Sequence, residues 1–204
     1  MKWIKEHRYC LWLLYFVFYF PAFFMLERVV DPKFIIECSF DRMIPFCKHF
    51  IYPYYFWYIT MPGSLVLFML KDKEAFLRLC FIMFTGMTVS LGIYFVLPNG
   101  LDLRVPFEVN DLSSWLCAML ESIDTPTNVC PSIHVSSSVA IDMAVQRSAL
   151  LKDKKLVRLA SFVIMLAVSV STAFVKQHSL IDIAAGAALS VVLMLIYDFW
   201  IHKK

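Results

Sequence analysis

Six long apolar stretches leave this chain little choice of solvent. They run roughly Tyr9–Leu26, Phe50–Leu70, Leu77–Leu97, Ser132–Leu151, Val157–Val175 and Leu180–Ile201. A helix needs about 20 apolar residues to cross the hydrocarbon of a bilayer, and each stretch is close to that length. They are continuously apolar rather than alternating, which reads as helices and not as barrel strands. Helices also satisfy all their own backbone hydrogen bonds, as hydrocarbon demands. Composition agrees. Hydrophobic residues make up 60% of the 204 positions and charged residues 17%, against about 45–50% and about 25% in soluble domains. A soluble globule of this size has no interior able to hide that surface. The expectation is an all-α, integral membrane bundle of six transmembrane helices, one domain over residues 1–204. Disulfide mini-proteins, disordered tails and coiled coils are excluded, and no nucleic-acid partner is expected.

Basic residues set the expected orientation. With the N-terminus in the cytoplasm, the inner segments hold Lys2, Lys5, Arg8, Lys71, Lys73, Arg78, Arg147, Lys152, Lys154, Lys155, Arg158, Lys203 and Lys204, or 13 of the 19 Lys and Arg. The outer segments hold Arg28, Lys33, Arg42, Lys48, Arg104 and Lys176. The positive-inside rule then places both termini inside. The first stretch ends in Phe24-Met25-Leu26-Glu27-Arg28, without small residues at a cleavage position, so it reads as a retained helix and not a signal peptide. The outer loops carry no N-x-S/T site, which leans towards a bacterial plasma membrane.

Two outer loops are long. Glu27–His49 reads either as an amphipathic segment along the interface or as a plain connector. Asn99–Pro131 is acidic, with Arg104 its single cation. Of the six cysteines, Cys38, Cys47, Cys117 and Cys130 fall outside. Their spacing permits Cys38–Cys47 and Cys117–Cys130 bridges in an oxidising compartment, or four reduced thiols. No Cys or His spacing suggests a metal site.

Ionisable residues at membrane depth are costly and so mark candidates for function. Three clusters qualify: Leu101-Asp102-Leu103-Arg104-Val105-Pro106, Pro131-Ser132-Ile133-His134, and Ser171 through Asp182. In the expected topology all three meet one face of the membrane. His178 and Asp182, four apart, share a helical face. A carboxylate fixes the imidazole tautomer and frees its other nitrogen to act as a nucleophile. His134 is suited to protonating a leaving oxygen. Arg104 offers a fork of donors matching phosphate oxygens, and Ser132 offers a hydroxyl at a helix start, where exposed N–H groups favour an anion. Together they point to phosphoryl transfer without a metal. Taken singly, a histidine at this depth is a packing residue, and Arg104 or Lys176 an interface anchor. Asp142, two turns below His134, reads as a hydrogen-bonding residue or a relay.

These residues resemble the type 2 phosphatidic acid phosphatase superfamily. Arg104 with Pro106, Pro131-Ser132-Ile133-His134, and Ser171…His178…Asp182 are similar to its three signature motifs, in order. The resemblance implies a phosphohistidine at His178, oriented by Asp182, with His134 as acid and then base. It implies phosphate binding by Arg104 and Ser132, a lipid phosphate substrate in the bilayer, and no cofactor. Three departures stand out. Leu97 occupies the position of a motif lysine, Val105 interrupts the Arg-Pro pair, and Thr172 replaces a motif arginine. Lys176 and Thr172 are then the candidates to complete the phosphate cradle. Sphingomyelin and inositol phosphorylceramide synthases resemble this pattern too, and they move a headgroup between lipids. The expected activity is therefore a lipid phosphate or pyrophosphate phosphatase, with a headgroup phosphotransferase as the alternative. A non-catalytic lipid binder is disfavoured by the intact His134, His178 and Asp182.

Overall fold

The structure, a computed structural model, describes residues 6–201. Lys2, Lys5, Lys203 and Lys204, which enter the orientation argument, lie outside the described residues. A 3-10 turn, Arg8–Leu14, runs into helix α1, Tyr15–Val29. Then follow α2 (Ile51–Lys71), α3 (Lys73–Val96), α4 (Leu112–Ile123), α5 (Ile133–Arg147), α6 (Lys155–Phe174) and α7 (Leu180–Ile196), the last continued by a π turn, Tyr197–Ile201. The sheet among the described residues is a two-residue parallel pair, β1 (Phe34–Ile35) beside β2 (Asn99–Gly100).

Among the described residues, four helices are long and apolar enough to cross a membrane: Arg8–Val29, Lys73–Val96, Lys155–Phe174 and Leu180–Phe199. α2 and α5 miss that standard for physical reasons. α2 is a continuous helix of 21 residues, but Tyr52, Tyr54, Tyr55, Trp57 and Tyr58, with Pro53 and Pro62, lower its hydropathy. α5 is 15 residues long and holds His134, three consecutive serines and Asp142. It is polar because it is central. Eleven of its residues are buried, and it packs on α3, α6 and α7. Its serines return their hydroxyls to the helix itself, Ser137 Oγ to Ile133 O at 2.6 Å and Ser138 Oγ to His134 O at 2.7 Å. Small side chains let neighbouring backbones come close. Asp142 Oδ1 accepts from Ser161 Oγ at 2.8 Å and Gln146 Nε2 at 3.0 Å, the hydrogen-bonding role.

The loops resolve two points that the sequence leaves open. Glu27–His49 is the plain connector, without an amphipathic helix. Its centre is a turn closed by Asp41, whose Oδ2 accepts from Cys38 N at 2.6 Å. The amphipathic helix lies instead in the second outer loop, as α4, started by Asp111 and Ser114 in a reciprocal cap. Neither cysteine bridge forms, and all six thiols are free. Burial pushes the Cys117 and Cys130 thiols up, to about 11 and about 12, so neither is an activated thiolate near neutral pH.

One close approach positions everything below. A Cβ on Gly186 of α7 would lie 2.5 Å from Ser132 O and 3.3 Å from Ser132 N. Those are backbone atoms at the start of α5 and cannot swing aside. Gly186→Ala is expected to push α7 off α5 and destabilise the protein by about 1–3 kcal/mol, read as a lower melting temperature in detergent. An unchanged melting temperature would show that this contact is loose.

Candidate active site

The site is built from the first turns of α5 and α7. Ser179 caps α7: its Oγ accepts from Ile181 N at 2.9 Å, while Asp182 Oδ2 accepts from Ser179 N at 2.9 Å. This reciprocal cap follows from the local sequence Ser179-x-x-Asp182. It fixes Asp182, which is 0% exposed. The same Oδ2 lies 3.4 Å from His178 Nδ1, near enough for charge but off the line of a hydrogen bond. On the other side of the ring, His178 Nε2 lies 3.4 Å from His134 Nδ1. Ser132 N donates to Asp182 O at 3.1 Å, tying the two helix starts together. The Ser132 hydroxyl caps α5, accepting from Val135 N at 3.4 Å.

Residues from other elements steady these groups. The His134 ring faces Trp57 and Tyr54, with centroids at 4.4 and 4.7 Å. Trp57 is held in turn by Nε1 donating to Ser137 Oγ at 2.7 Å. Tyr94 donates to Pro131 O at 2.6 Å. Asn99 clamps the approach to α5 with its whole amide: Oδ1 accepts from Val129 N and Cys130 N, and Nδ2 donates to Leu97 O and Cys130 O.

The remaining candidates from the sequence are placed unevenly. Arg104 reaches the residue beside His178. Its guanidinium donates to Gln177 Oε1 at 2.9 Å, to Glu121 O at 3.3 Å and to Asp124 O. Lys176 goes elsewhere. Its backbone is left-handed, with φ of 59°, and its Nζ donates to Asp41 O at 2.7 Å and Ile44 O at 2.6 Å. Burial lowers the Lys176 pKa, and Asp41 partly opposes that. Thr172 Oγ1 donates to Ser169 O at 2.8 Å on its own helix. Its carbonyl accepts from Gln177 N and His178 N, at 2.9 and 3.1 Å, so Thr172 positions His178 through backbone. Leu97 is exposed at the end of α3.

A cavity of about 190 Å³ reaches the histidines. Phe20 and Phe24 of α1, Trp57, Tyr58 and Met61 of α2, and Tyr94 of α3 give it aromatic, apolar walls. Its polar lining comprises Glu27, Thr125, Thr127, His134 and His178, together with Asp124, Asn128 and Gln177. These last three, with Tyr54, are residues the motif reading missed. Tyr54 and Trp57 carry a signal in helical spacing, since Ile51, Tyr54, Trp57, Met61, Leu65 and Phe68 are the buried stripe of α2. Asp124 carries none. Tyr54 donates to its Oδ2 at 3.2 Å. Burial holds the Asp124 carboxyl above the usual aspartate value, against the pull of His178 and Arg104.

Chemically, this is an imidazole with a carboxylate at one nitrogen and a second imidazole at the other. A phosphoryl group does not fit between ring nitrogens 3.4 Å apart, so admitting one requires the rings to separate. Among the described residues no group of three or more His, Cys, Asp or Glu is placed to hold a metal ion. The chain matches no protein-family model, no curated protein and no solved structure.

Two outcomes are expected here. Asp41→Ala strips the acceptors from Leu180 N and Cys38 N, whose hydrogen bonds measure 2.8 and 2.6 Å, and loosens the turn holding His178. It should lower stability by about 1–3 kcal/mol, measured by thermal unfolding in detergent. Asp124 contributes in the other direction. Its raised folded pKa favours the folded state at low pH, and the benefit is lost as pH rises from the ordinary aspartate value, about 3.9, through the folded one. The melting temperature of the wild type relative to Asp124→Asn should therefore fall as pH increases. A constant difference would contradict the burial.

Proposed function

We propose that the chain is a membrane enzyme that cleaves lipid phosphates through a phosphohistidine on His178, acting as a metal-independent lipid phosphate or pyrophosphate phosphatase. The observation that carries this reading is the line Asp182–His178–His134, with contacts of 3.4 Å on each side of the His178 ring, at the end of an aromatic cavity. In the proposed reaction Asp182 keeps the proton on Nδ1, and Nε2 of His178 attacks phosphorus. The ester P–O bond breaks, and His134 gives a proton to the departing lipid oxygen. His134 then takes a proton from water, the water oxygen attacks phosphorus, and the P–N bond breaks to release phosphate. Arg104, in reach of Gln177, and the first turn of α5 would meet the phosphate oxygens.

The proposed setting is a six-span bundle, with α1, α2, α3, α5, α6 and α7 in the bilayer and α4 at its outer surface. Both termini would lie in the cytoplasm and the site at the extracytoplasmic face. A lipid would enter between α1 and α2, whose aromatic residues line the cavity. This setting, and membership of the type 2 phosphatidic acid phosphatase superfamily, rests on motif order and helix positions together.

A specific observation favours a second reading, headgroup transfer between lipids. Lys176 is committed to loop carbonyls, and Asp124 adds a carboxyl near His178. A phosphate monoester brings about −1.5 to −2 charges near neutral pH, whereas a diester has one ionisable oxygen. With so few cations in a site of low dielectric, the diester is easier to hold.

The test uses purified protein in detergent with EDTA, offered phosphatidic acid, a phospholipid diester and a lipid alcohol. Mass spectrometry follows the lipids and a colour assay follows free phosphate. Phosphate release, abolished by His178→Ala and reduced about 10²–10⁴-fold by His134→Gln, is the expected result. A new headgroup on the alcohol without free phosphate would instead establish the transferase. Equal activity in the His178→Ala protein would overturn both.

A further inference from the structure

Asn128 is the least satisfied polar side chain at the cavity. It is 5% exposed, it lines the same cavity as His134 and His178, and neither its Nδ2 nor its Oδ1 has a hydrogen-bond partner. Buried amides without partners are rare and call for an explanation. Its neighbour in the fold, Asn99, shows the contrast, since it uses every site of its amide. Asn128 also has a positive φ, 57°. Asparagine tolerates that conformation better than most residues, but glycine tolerates it better still. Backbone shape alone therefore does not account for an idle amide. Asp124, four residues earlier, lines the same end of the cavity and is steadied by Tyr54 at 3.2 Å.

We infer that Asn128 and Asp124 form a binding subsite for a hydroxyl group of the lipid substrate, next to the histidine pair. The chemistry of the donors selects the ligand. An amide offers a donor and an acceptor, and a carboxylate only accepts. A phosphate oxygen only accepts, so it would use Nδ2 alone, leave Asn128 Oδ1 idle and set a second negative charge against the Asp124 carboxyl. A quaternary ammonium donates nothing and would leave Nδ2 idle. A hydroxyl accepts from Nδ2 and donates its one hydrogen to the carboxylate or to Oδ1, so it uses a donor and an acceptor of the pair at once. Two sources fit: the hydroxylated headgroup of a phosphodiester, or the alcohol that accepts a transferred group. This inference deepens the proposed phosphoryl-transfer reading and rests on it.

The test measures binding and turnover separately, on the full-length protein in detergent. The probes are dioctanoyl phosphatidylglycerol, with a hydroxylated headgroup; dioctanoylglycerol, an acceptor alcohol; and dioctanoyl phosphatidic acid and phosphatidylcholine, with neither. Isothermal titration should show one hydroxylated probe favoured by about tenfold over phosphatidylcholine, the effect of roughly one good hydrogen bond. Asn128→Gly, which keeps the left-handed backbone, should abolish that preference and leave phosphatidic acid binding unchanged. Asn128→Asp, a near isostere, should do the same. Preference for phosphatidylglycerol assigns the subsite to the headgroup, and preference for dioctanoylglycerol assigns it to the acceptor. Wild-type behaviour of Asn128→Gly with every probe, or no preference in the wild type, overturns the subsite. A preference that Asn128→Gly removes, without any turnover dependent on His178, keeps the subsite and overturns the catalytic reading instead.

Discussion

The hydrogen bond from Ser132 N to Asp182 O, 3.1 Å long, is the contact on which the rest of the site depends. It joins the starts of two helices, and each carries one histidine. Gly186 makes it possible, because any Cβ there would strike the Ser132 carbonyl. With the helix starts joined, His134 and His178 stand 3.4 Å apart, their rings steadied by Trp57, Tyr54 and Thr172. The helix ends also bring their partial positive charge to the same place, which favours an anion where few side-chain cations are available. The polar centre of the bundle follows from the same packing. α5 tolerates serines, a histidine and an aspartate because helices and not lipid surround it.

Much of this was legible in the residues. Apolar stretches locate helices, and the spacing of His178 and Asp182 locates their shared turn. The Ser179-x-x-Asp182 cap is a local pattern and needs no tertiary knowledge. What escaped reading was set by contacts between residues far apart in sequence. Lys176 looks like a phosphate ligand from its position, but Asp41 and Ile44, more than 130 residues earlier, claim its ammonium. Asp124 sits in an acidic loop with nothing local to distinguish it from Glu121 or Asp111. Tyr54, from α2, and Arg104, which bonds Asp124 O and Gln177 Oε1, draw it to the histidines. The span count stops at four by length and hydropathy, because α2 is rich in tyrosine and α5 is short. Those are the two helices that wall and carry His134.

The charge balance separates this site from a simple phosphate trap. Arg104 approaches through Gln177 and carries hydrogen bonds to the end of α4. Asp124 lies on the same side. Under the proposed function, a site arranged this way would discriminate by the charge of the phosphorus centre as well as by the shape of the lipid. The aromatic cavity supplies the complement, an apolar surface continuous with the outer side of α1, where Phe20 and Phe24 are exposed. Polar selection at one end and hydrocarbon at the other is the arrangement expected where a lipid headgroup must be held while its tails stay in the bilayer.

The central claim is that His178 becomes covalently bonded to phosphorus. The most direct measurement is intact and peptide mass spectrometry of protein quenched in alkali during exposure to a lipid phosphate, since a phosphorus–nitrogen bond survives base and is lost in acid. The account predicts a phosphoryl group, or a phosphorylated headgroup, on the peptide containing His178, removed by mild acid and absent from His178→Ala. Turnover with no such adduct in wild type or in a His134→Gln protein, where its decay is slowed, would contradict it.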